Sequence, residues 1–226
     1  LTRNMRERIS KNPAIEYLGI HGTDGELLGP NNEGFLAAKN WTAGYLAEGA
    51  ENITGTTMTD TILTGVDTCY GCAIRCKRVV EIPGVVDPVY GGPEYETCAA
   101  LGAYCGITNL ETVAAANQLC NAYGIDTISC GGTIAFAMEC YEEGLITKEQ
   151  TGGLELNFGN DEALLTLIRM IAGREGIGDM LSEGSMRAAK KIGPEAVKMS
   201  ISVKGQELPA HMPQLKPSVG LIYAVN

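Results

Sequence analysis

Residues of core type recur at helical spacing through most of the second half of the chain. Leu110, Val113, Ala114, Asn117 and Cys120 fall on one face of a helix that Asn109 would cap and Gly124 would end. Asp126 restarts the pattern at once. Ile128, Ile134, Ala135, Met138 and Tyr141 serve a second helix stopped near Gly144, expected to pack beside the first across Gly124. Asp161 to Arg174, with Leu164, Leu165, Ile168 and Ile171, and Gly178 to Ile192 predict two further amphipathic helices. The first half is less regular. Asn4 to Ala14 predicts a short helix ending near Pro13. Asn32 to Ile53 has Leu36, Ala37, Trp41, Tyr45 and Leu46 at helix-like spacings, interrupted by Gly44 and Gly49. Glu94 to Tyr104 is another helix candidate. Thr54 to Thr61 reads as a polar linker, Val79 to Val89 as extended or looped chain, and Lys198 to Leu208 as a short strand. The pattern predicts an all-α fold, mainly helical with few short strands.

Composition narrows the function classes. Of 226 residues, 45% are hydrophobic and 19% charged, enough to build a core and too little charge for a disordered chain. The formal net charge of -10 argues against nucleic acid or an anionic membrane as the main partner. No apolar run approaches the roughly 20 residues that cross a bilayer, and the charged stretch from Leu1 to Asn12 does not resemble a signal peptide. The chain starts at Leu1 and ends on the apolar run Gly220 to Val225, so a piece of a longer protein is expected. Residues 1–200 would form one helical domain and residues 201–226 the start of a second. Eight cysteines, several in Ala-rich helical sequence, fit free buried thiols in a reducing cytoplasm better than a disulfide framework.

The most informative stretch is Cys69-Tyr70-Gly71-Cys72-Ala73-Ile74-Arg75-Cys76. Three thiols at this spacing can turn inward on one loop and are suitable ligands for soft iron. Gly71 permits close backbone approach, and Arg75, Lys77 and Arg78 are expected to lower the thiol pKa values. An iron–sulfur cluster, a structural zinc site and a metal-free set of cysteines are the alternatives. Zinc lacks a second CxxC or HxxxH pair in the chain. A fourth ligand is not obvious, although Cys98 or Cys105 could fold back.

The cysteine loop is followed by Gly91-Gly92-Pro93-Glu94-Tyr95-Glu96-Thr97, by Asn121-Ala122-Tyr123-Gly124-Ile125-Asp126-Thr127, and by Lys204-Gly205-Gln206-Glu207-Leu208-Pro209-Ala210-His211. In this order the segments resemble the tungsten-containing aldehyde ferredoxin oxidoreductase family over nearly the whole chain. The resemblance implies a helical domain covering a tungsten (or molybdenum) bis-pterin cofactor. It also implies a [4Fe-4S] cluster held by Cys69, Cys72 and Cys76 together with a cysteine beyond residue 226. The reaction would be aldehyde oxidation to a carboxylic acid, with ferredoxin, a small aldehyde and the remaining domains of the same polypeptide as partners. A non-catalytic helical iron–sulfur or zinc-binding module is the rival reading.

The family's first pterin signature, Asp-x-x-Gly-Leu-Asp or -Cys, corresponds here to Asn121 through Asp126, with Asn121 and Ile125 as departures; Thr127 follows as a further contact. On local sequence Asp126 is equally a helix N-cap. Glu94 and Glu96 resemble the acidic pair of which one member lies near the tungsten; either would serve as a general base or simply favour a helix N-terminus. His211 matches the His of Pro-Ala-His-Asp-Pro-Arg, with Met212 and Gln214 replacing the charged positions. The family's other catalytic His would fall beyond Asn226. No ExxH motif for an inter-subunit metal occurs between Glu111 and Cys120.

Overall fold

The computed structural model describes residues 2–9 and 11–225. Helices α1 (Thr2–Ile9) and α2 (Pro13–His21) replace the single helix expected near residues 4–14. Asn12 is extended and its side chain accepts from Ala14 N at 3.0 Å. Pro13 then sits in the first turn, where its missing N–H costs nothing, so the proline starts a helix instead of ending one. After α3 (Leu28–Asn32) the chain makes turns, not the helix suggested by its spacings. Lys39, Asn40 and Trp41 hold φ of 46°, 50° and 66°, which no right-handed helix tolerates. The N–H groups of Lys39 and Asn40 bond Ala103 O and Tyr104 O at 3.0 and 2.9 Å, so pairing with a distant segment sets this backbone.

The stretch expected as a polar linker is helix α4 (Gly55–Thr61). Thr54 caps it through Thr57 N, and the hydroxyls of Thr59 and Thr61 return to carbonyls one turn back. Strands β1 (Leu63–Asp67) and β2 (Lys77–Val80) pair antiparallel, and their connection carries the three spaced cysteines. Helix α5 (Tyr95–Thr97) runs on through a π turn at Cys98–Gly102 and a 3-10 turn at Ala103–Cys105. This stretch is buried from Thr97 through Cys105.

Helix α6 (Leu110–Tyr123) begins on the Asn109 cap and ends at Gly124, at φ 70°. Helix α7 (Thr127–Glu142) begins on Asp126. The five stripe residues of α6 are all buried. Helix α8 (Asp161–Gly173) packs against α6. Helix α7 occupies the centre and lies directly on the π turn: a Cβ on Gly131 would stand 2.4 Å from Ala100 O. Only glycine permits that approach.

The expected helix over 178–192 is two, α9 (Ile177–Leu181) and α10 (Ser185–Ile192), divided at Gly184 with φ 88°. After α11 (Pro194–Met199), a small hairpin of β3 (Ser202–Val203) and β4 (Gln206–Glu207) turns on Lys204 and Gly205, both at positive φ. Glu207 is buried, and its Oε1 accepts from Ser185 N, Ser185 Oγ and Thr133 Oγ1, tying the hairpin to α7 and α10. Helix α12 (Pro217–Val225) exposes Leu221, Ile222 and Val225. The architecture is mainly helical, with two small two-stranded sheets among the described residues. No helix among them is long and apolar enough to cross a membrane.

Candidate active site

The cysteine loop is tied down at both ends. Thr68 Oγ1 donates to Cys72 O at 2.8 Å, and Cys72 N donates to Cys69 O at 3.0 Å. Gly71 and Arg75 take positive φ, 70° and 61°. Cys69 is exposed; Cys72 and Cys76 are half-buried. Arg78 is 2% exposed, and its guanidinium donates to the carbonyls of Gly19, Ile20, Arg75 and Cys76. It thereby fastens the loop to the C-terminal end of α2, where unpaired helix carbonyls favour a cation.

The expected lowering of thiol pKa does not hold for Cys76. Burial pushes it up first and Glu94 second, with Cys72 and Cys69 adding smaller rises against a lowering backbone hydrogen bond. Among the described residues no three His, Cys, Asp or Glu side chains converge where a single metal ion would sit. A cluster asks for something different, one thiolate per iron, and three soft donors on one accessible loop fit that chemistry. Cys98 and Cys105 are fully buried, and burial pushes both thiols up, against ligation as thiolates.

Beside the loop lies a cavity of about 500 Å³. Lys77 and Arg78 of β2, Glu94 at the start of α5, and Asn121, Ile125, Asp126 and Thr127 at the α6–α7 junction all border it. Asn121 spends its amide hydrogens on Asn117 O, Asn117 Oδ1 and Tyr90 O. Asp126 Oδ2 accepts from Ser129 N at 2.8 Å as the α7 cap, while Thr127 Oγ1 lies 3.0 Å from Thr97 Oγ1. On the same wall Asn117 Nδ2 is buried without an acceptor. A wall of amides, hydroxyls and charged groups, with an orphaned donor behind it, fits a heterocycle rich in amine and carbonyl groups, as a pterin is.

A second cavity, about 580 Å³, opens on the other side of Glu94. Leu18, Pro30, Phe35 and Tyr95 supply apolar wall; Thr23, Glu96, His211 and Lys216 supply polar groups. The two glutamates separate here. Glu94 borders both cavities, and its Oε2 accepts from Thr23 Oγ1 at 2.5 Å. Glu96 borders only the second, accepts from Ala210 N at 2.8 Å and faces His211 Nε2 at 3.1 Å. Lys216 Nζ stands 2.8 Å from His211 Nδ1. An ammonium offers only donors, so Nδ1 accepts and the imidazole hydrogen on Nε2 points to Glu96. The His211 ring stacks on Tyr95 at 5.7 Å, and Tyr95 OH donates to Ala210 O. Burial, then Glu96, keeps that phenol protonated by raising its pKa.

Thr23, Asp24, Asn117 and Lys216 also belong to this region, although no motif in the chain marks them. Gly22-Thr23-Asp24-Gly25 reads as an ordinary turn, and nothing in its spacing announces a partner 71 positions away at Glu94. Asp24 is 0% exposed with no hydrogen bond to either oxygen.

The family model described as "Aldehyde ferredoxin oxidoreductase, domains 2 & 3" matches residues 1–226. A tungsten-containing aldehyde ferredoxin oxidoreductase of Pyrococcus furiosus is 43% identical over 198 residues, covering 87% of this chain and 32% of that protein. The Pyrococcus abyssi counterpart is 40% identical over 228 residues, covering 99% and 37%. An aliphatic sulfonate oxidoreductase, WOR-like subunit, from Pyrococcus furiosus is 34% identical over 165 residues, covering 70% and 26%. The chain thus spans about a third of the length of the aldehyde ferredoxin oxidoreductases it matches. Among solved structures, the active site complex BamBC of benzoyl coenzyme A reductase with 1,5-dienoyl-CoA superposes with a TM-score of 0.66 at 23% identity. It covers 85% of this chain and 28% of that one, a likeness of fold.

Proposed function

Since the chain belongs to the aldehyde ferredoxin oxidoreductase family, we propose that it is the helical part of a tungsten or molybdenum pterin enzyme that oxidises small aldehydes. The reaction is RCHO + H2O → RCOO⁻ + 3 H⁺ + 2 e⁻, with the electrons passing through a [4Fe-4S] cluster to ferredoxin in the cytoplasm. The observation that supports this best is Glu94 in the wall between a polar cavity and an apolar-sided one. When bound, the metal–pterin group would supply two-electron chemistry and the cluster one-electron chemistry.

Cys69, Cys72 and Cys76 hold the cluster, with the fourth cysteine supplied by the rest of the polypeptide. Asn121, Ile125, Asp126 and Thr127 hold the pterin. Glu94 takes a proton from the water that adds to the carbonyl carbon. Thr23 fixes one of its oxygens. Leu18, Pro30 and Phe35 receive the carbon chain of the aldehyde and exclude water from it. His211, held between Glu96 and Lys216, orients the polar end of the same cavity.

Full-length protein prepared without oxygen tests the reading. It should contain tungsten or molybdenum, iron and acid-labile sulfide, and should reduce ferredoxin with an aldehyde. Glu94→Gln should lower kcat by about 10²–10⁴-fold, the range of a lost general base, and Glu96→Gln by less. Zinc without sulfide, or an unchanged rate in Glu94→Gln, would sink it.

A further inference from the structure

We propose that Asp24 is a protonated, fully enclosed carboxyl that acts through Glu94 by keeping a second negative charge away from it. This makes Asp24 a positioning residue, and the inference rests on the role proposed for Glu94. Asp24 is 0% exposed, and neither oxygen receives a hydrogen bond. An ionised carboxylate there would lose its hydration and gain nothing in return, so the group keeps its proton.

A Cβ on Gly55 would stand 2.6 Å from Gly25 N and 2.9 Å from the carbonyl carbon of Asp24, so α4 packs directly on the backbone of this turn, and the carboxyl is shut off from water. Thr23, the preceding residue, donates to Glu94 Oε2 at 2.5 Å and accepts from Tyr95 N at 3.0 Å. The Thr23–Asp24 step is therefore locked against the start of α5.

The groups facing Asp24 are Cys98 from the π turn and Glu94 and Tyr95 from the start of α5. Burial raises the Asp24 pKa most; the Cys98 thiol offsets part of the rise without forming a well-aligned hydrogen bond, and Glu94 adds to it. Glu94 also acts on Cys76 and Arg78, raising the pKa of each. The result is two carboxyls with divided duties. Glu94 opens to both cavities and exchanges protons there. Asp24 stays neutral behind it. Were Asp24 ionised, its charge would favour a proton on Glu94 and leave less of it as the carboxylate that accepts one.

Infrared spectroscopy of the full-length protein at neutral pH tests this. A protonated-carboxyl C=O band should be present and should shift when aspartate, but not glutamate, carries a ¹³C carboxyl. It should vanish in Asp24→Asn. In Glu94→Gln it should persist but move in frequency, because the neighbouring charge is gone. Absence of the band, a shift with labelled glutamate, or a band unmoved by Glu94→Gln would each overturn the proposal. The labelling arm needs no substitution, so it decides even where Asp24→Asn does not fold. Aldehyde-dependent ferredoxin reduction by the same preparation judges the role of Glu94 separately.

Discussion

Replacing Arg78 by Met removes the guanidinium that fastens the cysteine loop to α2 while keeping much of the side chain's bulk. Four carbonyls lose a donor: Gly19, Ile20, Arg75 and Cys76. A hydrogen bond to a charged group contributes about 1.5–3 kcal/mol net. Ile20 and Arg75 are exposed residues, so water can take over their carbonyls, whereas Gly19 and Cys76 are more enclosed. Counting two bonds fully lost gives about 3–6 kcal/mol, a large share of the roughly 5–15 kcal/mol that holds a domain together. Arg78→Lys keeps the charge but loses the fork that reaches four acceptors at once, and should recover about half. Urea titration of the three proteins measures the difference, and iron and sulfide content after anaerobic reconstitution reads the loop directly. An Arg78→Met protein within about 1 kcal/mol of the parent would refute the clamp, since that is less than a single charge-assisted bond. A fully stable Arg78→Lys would show that charge, not the fork, matters.

Other outcomes follow from single contacts. Gly131→Ala puts a methyl 2.4 Å from Ala100 O and should cost about 1–3 kcal/mol by thermal or chemical unfolding; a neutral change would contradict the packing of α7 on the π turn. Asp24 has a folded pKa well above its reference value of 3.8. The folded state therefore binds a proton that the unfolded state has released, and stability should fall by about 1.4 kcal/mol per pH unit from the unfolded pKa up to the folded one. Asp24→Asn should remove that slope, so its advantage over the parent grows with pH; parallel stability curves would show that Asp24 does not carry the proton. Asp126→Ala loses the α7 cap, about 1 kcal/mol. If Asp126 also holds the pterin, pterin content of the full-length protein falls further than Asp126→Asn, a comparable cap, makes it fall.

Local chemistry made part of this protein legible. Asn109, Gly124 and Asp126 bound α6 and α7 because capping and the left-handed stop act within four residues of the chain. The grouping of Cys69, Cys72 and Cys76 is legible for the same reason: eight residues cannot carry the three thiols far apart. The turns through Lys39–Trp41 and the helix over Gly55–Thr61 were not legible. The first is dictated by bonds to Ala103 and Tyr104, and the second owes its place to packing over the turn at Asp24. Apolar spacing suggested a helix where the backbone had distant partners, and polar composition hid one with a good Thr54 cap.

The site divides along the same line. The spacing of the cysteine loop was legible directly, and the family resemblance pointed to the acidic pair and the segment 121–127, each a run of adjacent residues. Only the tertiary structure decided that Glu94 and not Glu96 stands between the two cavities, that Arg78 is a clamp, and that Thr23 and Asp24 belong with Glu94. Each of those depends on a contact between residues tens of positions apart. Contacts of that kind are selected by the fit of whole helices, with burial setting which polar groups keep their protons, and no short stretch of chain contains that information.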